Sequence, residues 1–487
     1  MKKKIYDEKN RKINFSPVNK MENVSKELNY SPVVNNHSSL VYRTVSPQAG
    51  GNVTLNSGSS VGPTEFIVPP SCWIPELTKL SFDISIAADA AQSNKVNANL
   101  LTCIDRITVY DTATSNLLLD CSNFHKYASL VTPAATKIDD FLTKPAKATG
   151  IAVPVNSAAA FPIPFEDISR NLDTANIGPL ATATGGTPAG SDMVLFSNTG
   201  RKQFYIGAAT AATYLSVNIP FSALKMTALA SDKIWYSPSS LVVQVYWAAT
   251  DNFAFMSTAA TAVATTATSC GVTTIISPKL YLANEGNLAI VSQVINKVMT
   301  GGGIQLPIAY PTVVQTTTSA SAAATNISFQ YQLTRGYGNR ILALITAPFS
   351  NAAGVNEKNY HPRYVTSNYN TFLNNVAIKF PSGFVGTSTT LAATDYPLGN
   401  QKYLEGSVIQ NIAEYVNGEW VHIDGFFGNK PLADLNQHEV DGLDVTTQSS
   451  TWQWVADVTG VATGYRVFTV IVGQKTLSLT AQGTMVQ

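Results

Sequence analysis

Apolar and polar residues alternate along several short stretches of this chain. Leu80, Phe82, Ile84 and Ile86 alternate with Ser81, Asp83 and Ser85, the period of two that a half-buried strand shows because successive side chains point to opposite faces. Leu215, Val217 and Ile219 repeat the pattern before Pro220, and Leu241–Trp247 (LVVQVYW) reads as another strand. Ile107, Val109 and the run Leu117-Leu118-Leu119 continue the series. Farther on, Phe329–Leu333, Ile341–Ile345, Val376–Phe380, Trp452–Val455 and Val467–Val472 carry the β-branched and aromatic residues that suit a pleated surface. One segment has the period of a helix instead. Leu288, Val291, Ile295 and Val298 fall at i, i+3, i+7 and i+10, with Ile290 and Val294 widening the stripe. Thr300-Gly301-Gly302-Gly303 stops it, since glycine is the usual residue past a helix end.

The punctuation between these elements divides the chain. Thr182–Ser191 (TATGGTPAGS) is too rich in Gly and Pro for a regular element. Asn252–Pro278 has no charged residue and exceeds the length of a membrane span, but Thr, Ser and Ala dominate it and Leu is absent. It reads as a linker with β-branched ends. The expected organisation is an extended basic arm over 1–40, a first sandwich over 41–251, linker and interdomain helix over 252–302, and a second sandwich over 303–487. The halves also rhyme. Phe66-Ile67-Val68 precedes Leu80-Ser81-Phe82-Asp83-Ile84, and Ile327-Ser328-Phe329 precedes Arg340-Ile341-Leu342-Ala343-Leu344. Phe66 and Phe82 are 16 positions apart, Phe329 and Leu344 are 15 apart, and small polar residues lead into both. The rhyme predicts two copies of one fold: an all-β chain with a few short helices, built as two tandem eight-stranded jelly rolls.

Composition narrows the function. Only 13% of the 487 residues are charged, against roughly 25% in an average soluble domain. With 45% hydrophobic and 9% aromatic residues the chain can fill a core, which excludes disorder. A free monomer uses surface charge to stay soluble, whereas a subunit buried among copies of itself does not. Low charge therefore points to an assembling structural protein. The net +1 hides an asymmetry: residues 1–40 hold eight basic and four acidic side chains, a net +4 that leaves −3 for the rest. The body is not basic enough for a nucleic-acid-binding domain. In the arm, Lys2, Lys3, Lys4, Lys9, Arg11 and Lys12 are the candidate contacts to phosphates or anionic lipid heads. Met1–Lys4 is followed by Ile5-Tyr6-Asp7-Glu8 rather than an apolar run, so no secretory signal is expected. Cys72, Cys103, Cys121 and Cys270 show no C-x-x-C spacing, His125 near Cys121 has no second cysteine beside it, and all four read as free thiols.

Candidate chemistry is sparse. Gly58-Ser59-Ser60-Val61-Gly62 matches a nucleophile elbow, but Pro63 and the β-like Phe66-Ile67-Val68 follow where a helix is needed. His438 with Glu439, Asp441 and Asp444 is the densest ligand cluster, and it reads as an exposed loop leading into a strand, with a structural cation site as the alternative. His422 and Asp424 share one face of a strand, as a surface pair. Gly301-Gly302-Gly303 lacks the Lys of a phosphate loop and ends a helix rather than opening one. Trp452 and Trp454 share a strand face without flanking cations, which favours packing over base stacking. No catalytic, cofactor-binding or metal-binding residue is expected.

An ordered set of segments resembles the double jelly-roll major capsid proteins of icosahedral DNA viruses, most of all those of virophages and polinton-like viruses. The set comprises Leu241–Trp247, Pro278-Lys279-Leu280-Tyr281-Leu282 with the amphipathic helix, Gly303–Pro311 (GIQLPIAYP) and Arg340–Leu344. The resemblance covers roughly Leu40 to Gln487. It implies two upright jelly rolls per subunit, a pseudo-hexagonal homotrimer that tiles an icosahedral shell around a DNA genome, and no catalytic site. It also implies an arm at the inner face that meets neighbouring subunits, genome DNA or an internal membrane. Penton and minor capsid proteins are the further partners, and the virion the location. Two other classes compete. A trimeric receptor-binding or fibre protein would show a short fibrous repeat, and none is visible. A β-sandwich glycan hydrolase needs two carboxylates across a cleft, and Glu285, Glu405, Glu414 and Asp424 supply carboxylates without a spacing that singles out a pair.

Overall fold

The computed structural model of the protein describes residues 38–56, 58–87, 93–97, 103–125, 127, 135, 137, 153–154, 203–208, 213–250, 254–257, 267–269, 272–317, 325–332, 337–346, 373–380, 383–384, 420–425, 434, 438, 443–444, 451–458 and 466–487. The first half contains strands β1 (Leu40–Val45), β2 (Val53–Leu55), β3 (Val61–Val68), β4 (Cys72–Trp73), β5 (Lys79–Ile86), β6 (Ser93–Asn97), β7 (Ile104–Asp111) and β8 (Leu117–Cys121). It continues through β9 (Val153–Pro154), β10 (Gln203–Ala208), β11 (Thr213–Pro220), β12 (Trp235–Tyr236) and β13 (Leu241–Trp247). β14 (Ala254–Ser257), β15 (Ala267–Ser269), β16 (Thr273–Glu285) and helix α1 (Leu288–Met299) follow. The second half contains β17 (Ile304–Thr317), β18 (Thr325–Gln332), β19 (Tyr337–Thr346), β20 (Leu373–Phe380) and β21 (Gly383–Phe384). It ends with β22 (Trp420–Gly425), β23 (Leu443–Asp444), β24 (Thr451–Val458), β25 (Arg466–Thr480) and β26 (Gly483–Val486).

The two halves share one pairing order. In the first, the last strand β16 lies between the opening strands (β1 and β2) and β5, and β5 leads on to β11. In the second, β25 lies between β17 and β19, and β19 leads on to β22. The facing sheets correspond as well, β3-β13-β7-β8 matching β18-β24-β20-β21. Neighbours far apart in sequence, antiparallel throughout and alternating between two sheets, are the mark of the jelly roll. The residues that rhyme in the sequence occupy equivalent places, since Phe66 and Phe329 lie on β3 and β18 while Phe82 and Leu344 lie on β5 and β19. The described strands do not number eight per roll. In the first half β4, β9 and β12 extend one sheet, and β6, β10, β14 and β15 form a third one.

The first roll is built from strict alternation. Along β5 every second residue is buried, and Leu80, Phe82, Ile84 and Ile86 face the opposing sheet. Phe82 meets Trp247 of β13 edge to face, with ring centroids 4.9 Å apart, and so joins the two sheets. Trp247 Nε1 donates to Thr64 Oγ1 at 2.8 Å, which satisfies its one polar atom inside the core. At the rim of the sheet, Trp73 of β4 and Trp235 of β12 form a second edge-to-face pair at 5.5 Å.

The stretch expected as a linker, Asn252–Pro278, instead carries β14, β15 and the first part of β16. The span 252–302 therefore holds three strands as well as the helix. β16 pairs with β5 on one side and with β1 and β2 on the other. The reason it escapes a reading by periodicity is local. Thr273 and Ile275 are buried at odd positions, and Leu280 and Leu282 at even ones. Between them Ser277, at φ 48°, and Pro278 form a bulge that inserts one extra residue opposite β5. A bulge reverses the phase of the alternation, and it is also where a proline can sit within a sheet.

α1 forms as the spacing predicts. The Asn287 side chain accepts the Ala289 N–H at 3.0 Å and caps the first turn. At the other end Gly303 N–H reaches Lys297 O at 3.1 Å, with Gly302 and Gly303 at φ 85° and 91°. Only Val298 of its stripe is fully buried, and Leu288 at its start is open.

Candidate functional site

Among the described contacts between the two sandwiches are two polar clusters, and Asp111 makes the first. It ends β7, is fully buried, and accepts five hydrogen bonds. Oδ1 takes the N–H groups of Ala113 at 2.8 Å and Thr114 at 3.1 Å, which folds the turn into β8. Oδ2 takes Ser239 Oγ at 2.6 Å, Ser237 Oγ at 3.1 Å and the Thr484 N–H at 2.9 Å. That last donor belongs to β26, so the first sandwich holds the closing strand of the second. Burial alone would raise the Asp111 pKa, but the Ser239 hydroxyl and the Thr484, Thr114 and Ala113 amides outweigh it and hold the carboxyl below its usual value. The preceding Gly483, at φ 131°, is required here. A Cβ on it would lie 2.7 Å from Thr114 Cγ2 and 3.2 Å from Asp111 Oδ2. Turn chemistry in Asp111-Thr112-Ala113-Thr114-Ser115-Asn116 is visible in the sequence, but nothing local announces a partner 373 positions away.

His438 makes the second, and here the exposed-loop expectation is corrected. Its side chain is only 9% exposed. Nδ1 lies 2.7 Å from the Pro307 carbonyl of β17, and Nε2 lies 2.9 Å from Ser231 Oγ of the first sandwich. A carbonyl can only accept, so the neutral ring carries its proton on Nδ1, and Nε2 accepts from the Ser231 hydroxyl. The Ser231 oxygen in turn accepts from Trp235 Nε1 and Lys233 N, both at 3.2 Å. The pair has the elements of a serine nucleophile and its base, yet Ser231 is buried and its oxygen already holds two donors. Asp232 sits 3.4 Å from Nε2, on the serine's side of the ring, rather than orienting the ring from Nδ1. The arrangement fastens three segments and presents no nucleophile. Nearby in sequence, Asp434 forms an ion pair with Lys137 of the first sandwich at 2.6 Å. That ion pair is exposed, whereas Asp111, Ser231 and His438 are largely withdrawn from water and are compensated by their hydrogen bonds across the seam.

The remaining sequence candidates separate. Gly58–Gly62 leads into β3 rather than a helix, so the elbow geometry is absent. His422 and Asp424 lie two apart on β22, opposite Ala343 and Ile341 of β19. Trp452 and Trp454 lie on β24, between β18 and β20. Glu285 is buried at the end of β16 and accepts the Asn287 N–H at 2.8 Å. Glu405, Glu414, Glu439, Asp441, Cys270, Thr182–Ser191 and the arm residues Lys2, Lys3, Lys4, Lys9, Arg11 and Lys12 lie outside the described residues. Burial pushes the Cys72 thiol up to about 11, with Glu285 adding to the rise, and pushes Cys103 and Cys121 higher still. Thiols held protonated in this way are poor nucleophiles. Among the described residues no three His, Cys, Asp or Glu side chains converge to hold a metal ion. No described helix is long and apolar enough to cross a membrane.

Two rolls of one strand order, locked through a buried carboxylate and a buried imidazole, define a double jelly-roll protein. The chain matches no family model and no curated protein. Solved structures do match it. The Faustovirus major capsid protein aligns at a TM-score of 0.53 and 12% identity, over 93% of this chain and 94% of that one. The mavirus major capsid protein aligns at 0.51 and 9% identity, over 98% of this chain and 95% of that one. At such identities the likeness is one of fold, and it runs nearly end to end in both chains.

Proposed function

We propose that this protein is the major capsid protein of an icosahedral DNA virus. The observation that carries the reading is the end-to-end match of both rolls, in their order, to two major capsid proteins. The seam supports it, because a shell subunit has to present two sandwiches as one rigid block. The low charge of 13% supports it too, since lateral faces covered by neighbours need little. Three copies form a pseudo-hexagonal homotrimer, and trimers tile the shell through many modest contacts whose multiplicity supplies the stability. The subunit catalyses no reaction and resides in the virion. Lys2, Lys3, Lys4, Lys9, Arg11 and Lys12 of the arm face the inner side, toward the genome or an internal membrane, and penton and minor capsid proteins complete the shell.

Light scattering after size exclusion, with negative-stain images, tests this. The expected result is a particle near three times 52.0 kDa with a pseudo-hexagonal outline. A chain that stays monomeric on concentration overturns the reading. Deleting residues 2–37 should leave trimers intact and impair closed shells, and shells of normal size from that variant would remove the arm from assembly.

A further inference from the structure

β1 leaves three consecutive apolar side chains in the open. Leu40 is 42% exposed, Val41 54% and Tyr42 47%, and Arg43 and Thr44 are exposed as well, so that only Val45 is buried. Side chains alternate along a strand, so both faces of β1 are open although its partners Leu280, Leu282 and Ala283 on β16 are buried. Among the described strands it is hydrogen-bonded to β16 alone, from Leu40 opposite Glu285 to Val45 opposite Leu280. Among the described residues its outer row of N–H and C=O groups meets no further strand. Soluble proteins guard such edges with charged side chains, Pro or bulges, and LVYRTV has only Arg43, beyond the apolar Leu40-Val41-Tyr42 run. Leu288, 78% exposed, begins α1 three residues beyond Glu285 and adds apolar surface at the same end.

Charge discriminates between occupants. Arg43 lies on the strand, and Lys79 Nζ stands 5.4 Å from the Tyr42 ring centre, so the apolar edge has a positive rim. The arm carries a net +4 and the remainder −3, and like charge disfavours an arm on this edge while opposite charge favours the body of another molecule. We propose that the outer edge of β1 docks the body of a second copy of this chain. The partner adds main-chain hydrogen bonds along Leu40–Thr44 and covers Leu40, Val41 and Tyr42. This inference rests on the self-assembly reading and names the surface that reading leaves open.

Amide hydrogen exchange on the full-length protein, dilute and assembled, tests it beside the Val41→Glu/Tyr42→Glu double variant. Both substituted side chains are exposed, so the dilute variant should melt with the wild type. Amides of residues 40–44 should slow by at least about tenfold on assembly, and the variant should associate about tenfold more weakly, because docking would bury two unpaired carboxylates. Assembly with unchanged exchange over 40–44, or a variant that assembles as the wild type does, overturns the docking edge and leaves the capsid reading standing. Amides already protected in the dilute monomer also overturn it, in favour of coverage by the chain itself. A protein that never associates overturns both readings.

Discussion

β5 hydrogen-bonds to one side of β16 and β1 to the other, and both strands are rich in apolar residues. On β5, Leu80, Phe82, Ile84 and Ile86 are at most 3% exposed. On β1 the comparable side chains Leu40, Val41 and Tyr42 stand open. Strand propensity does not separate them, since both segments form and share a partner. The difference is what lies across from each. β5 faces the β3-β13-β7-β8 sheet, where Trp247 receives Phe82, and no described sheet covers β1. The patterns agree with those environments. β5 alternates apolar with polar and so has an inner and an outer face, whereas Leu40-Val41-Tyr42 is apolar on both faces and suits a strand that is covered only when another molecule arrives.

Phe82→Ala removes the ring that joins the two sheets and should cost about 3–5 kcal/mol in urea unfolding. A loss below 1 kcal/mol would mean that β5 is no better packed than β1. Asp111→Asn should cost about 2–3 kcal/mol, because one carboxylate oxygen that now accepts is replaced by an NH2 facing donors. This loss depends on pH. The native Asp111 carboxyl is held below its usual value, so its contribution is fully present above the unfolded pKa of about 3.9 and fades as pH falls through the native value. Unfolding followed from pH 6 down to pH 2 should therefore show the wild type converging on the variant, and a constant gap would reject the linkage. His438→Ala should cost about 1–2 kcal/mol and speed exchange near Ser231 and Pro307, because it leaves the half-buried Pro307 carbonyl without that donor. Smallest is Val41→Ser, expected within about 0.5 kcal/mol for the dilute protein. A loss there as large as that of Phe82→Ala would show that β1 is part of the core after all.

Much of the fold is legible in the residues. The alternation on β5 and the apolar run of β13 are local, and so is the helical stripe ended by Thr300-Gly301-Gly302-Gly303. The rhyme of Phe66 and Phe82 with Phe329 and Leu344 survives because equivalent strands of two similar rolls keep similar patterns. β16 is harder to see, since the Ser277-Pro278 bulge reverses its phase midway and its composition resembles that of a linker. The seam is harder still. His438 sits among polar neighbours in a turn, and its burial depends on Ser231 and Pro307 arriving from elsewhere.

Spacing along the chain determined by itself that this protein is mostly β, that an amphipathic helix covers Leu288–Met299, and that it repeats one sandwich. These properties arise between residues a few positions apart, where side-chain period and turn chemistry act directly. The tertiary structure alone decided that β16 lies between β1 and β5, that Asp111 holds Thr484, and that one apolar strand is core while its counterpart is edge. Burial and long-range pairing are set by what packs opposite a residue, and a local pattern carries no record of that neighbour.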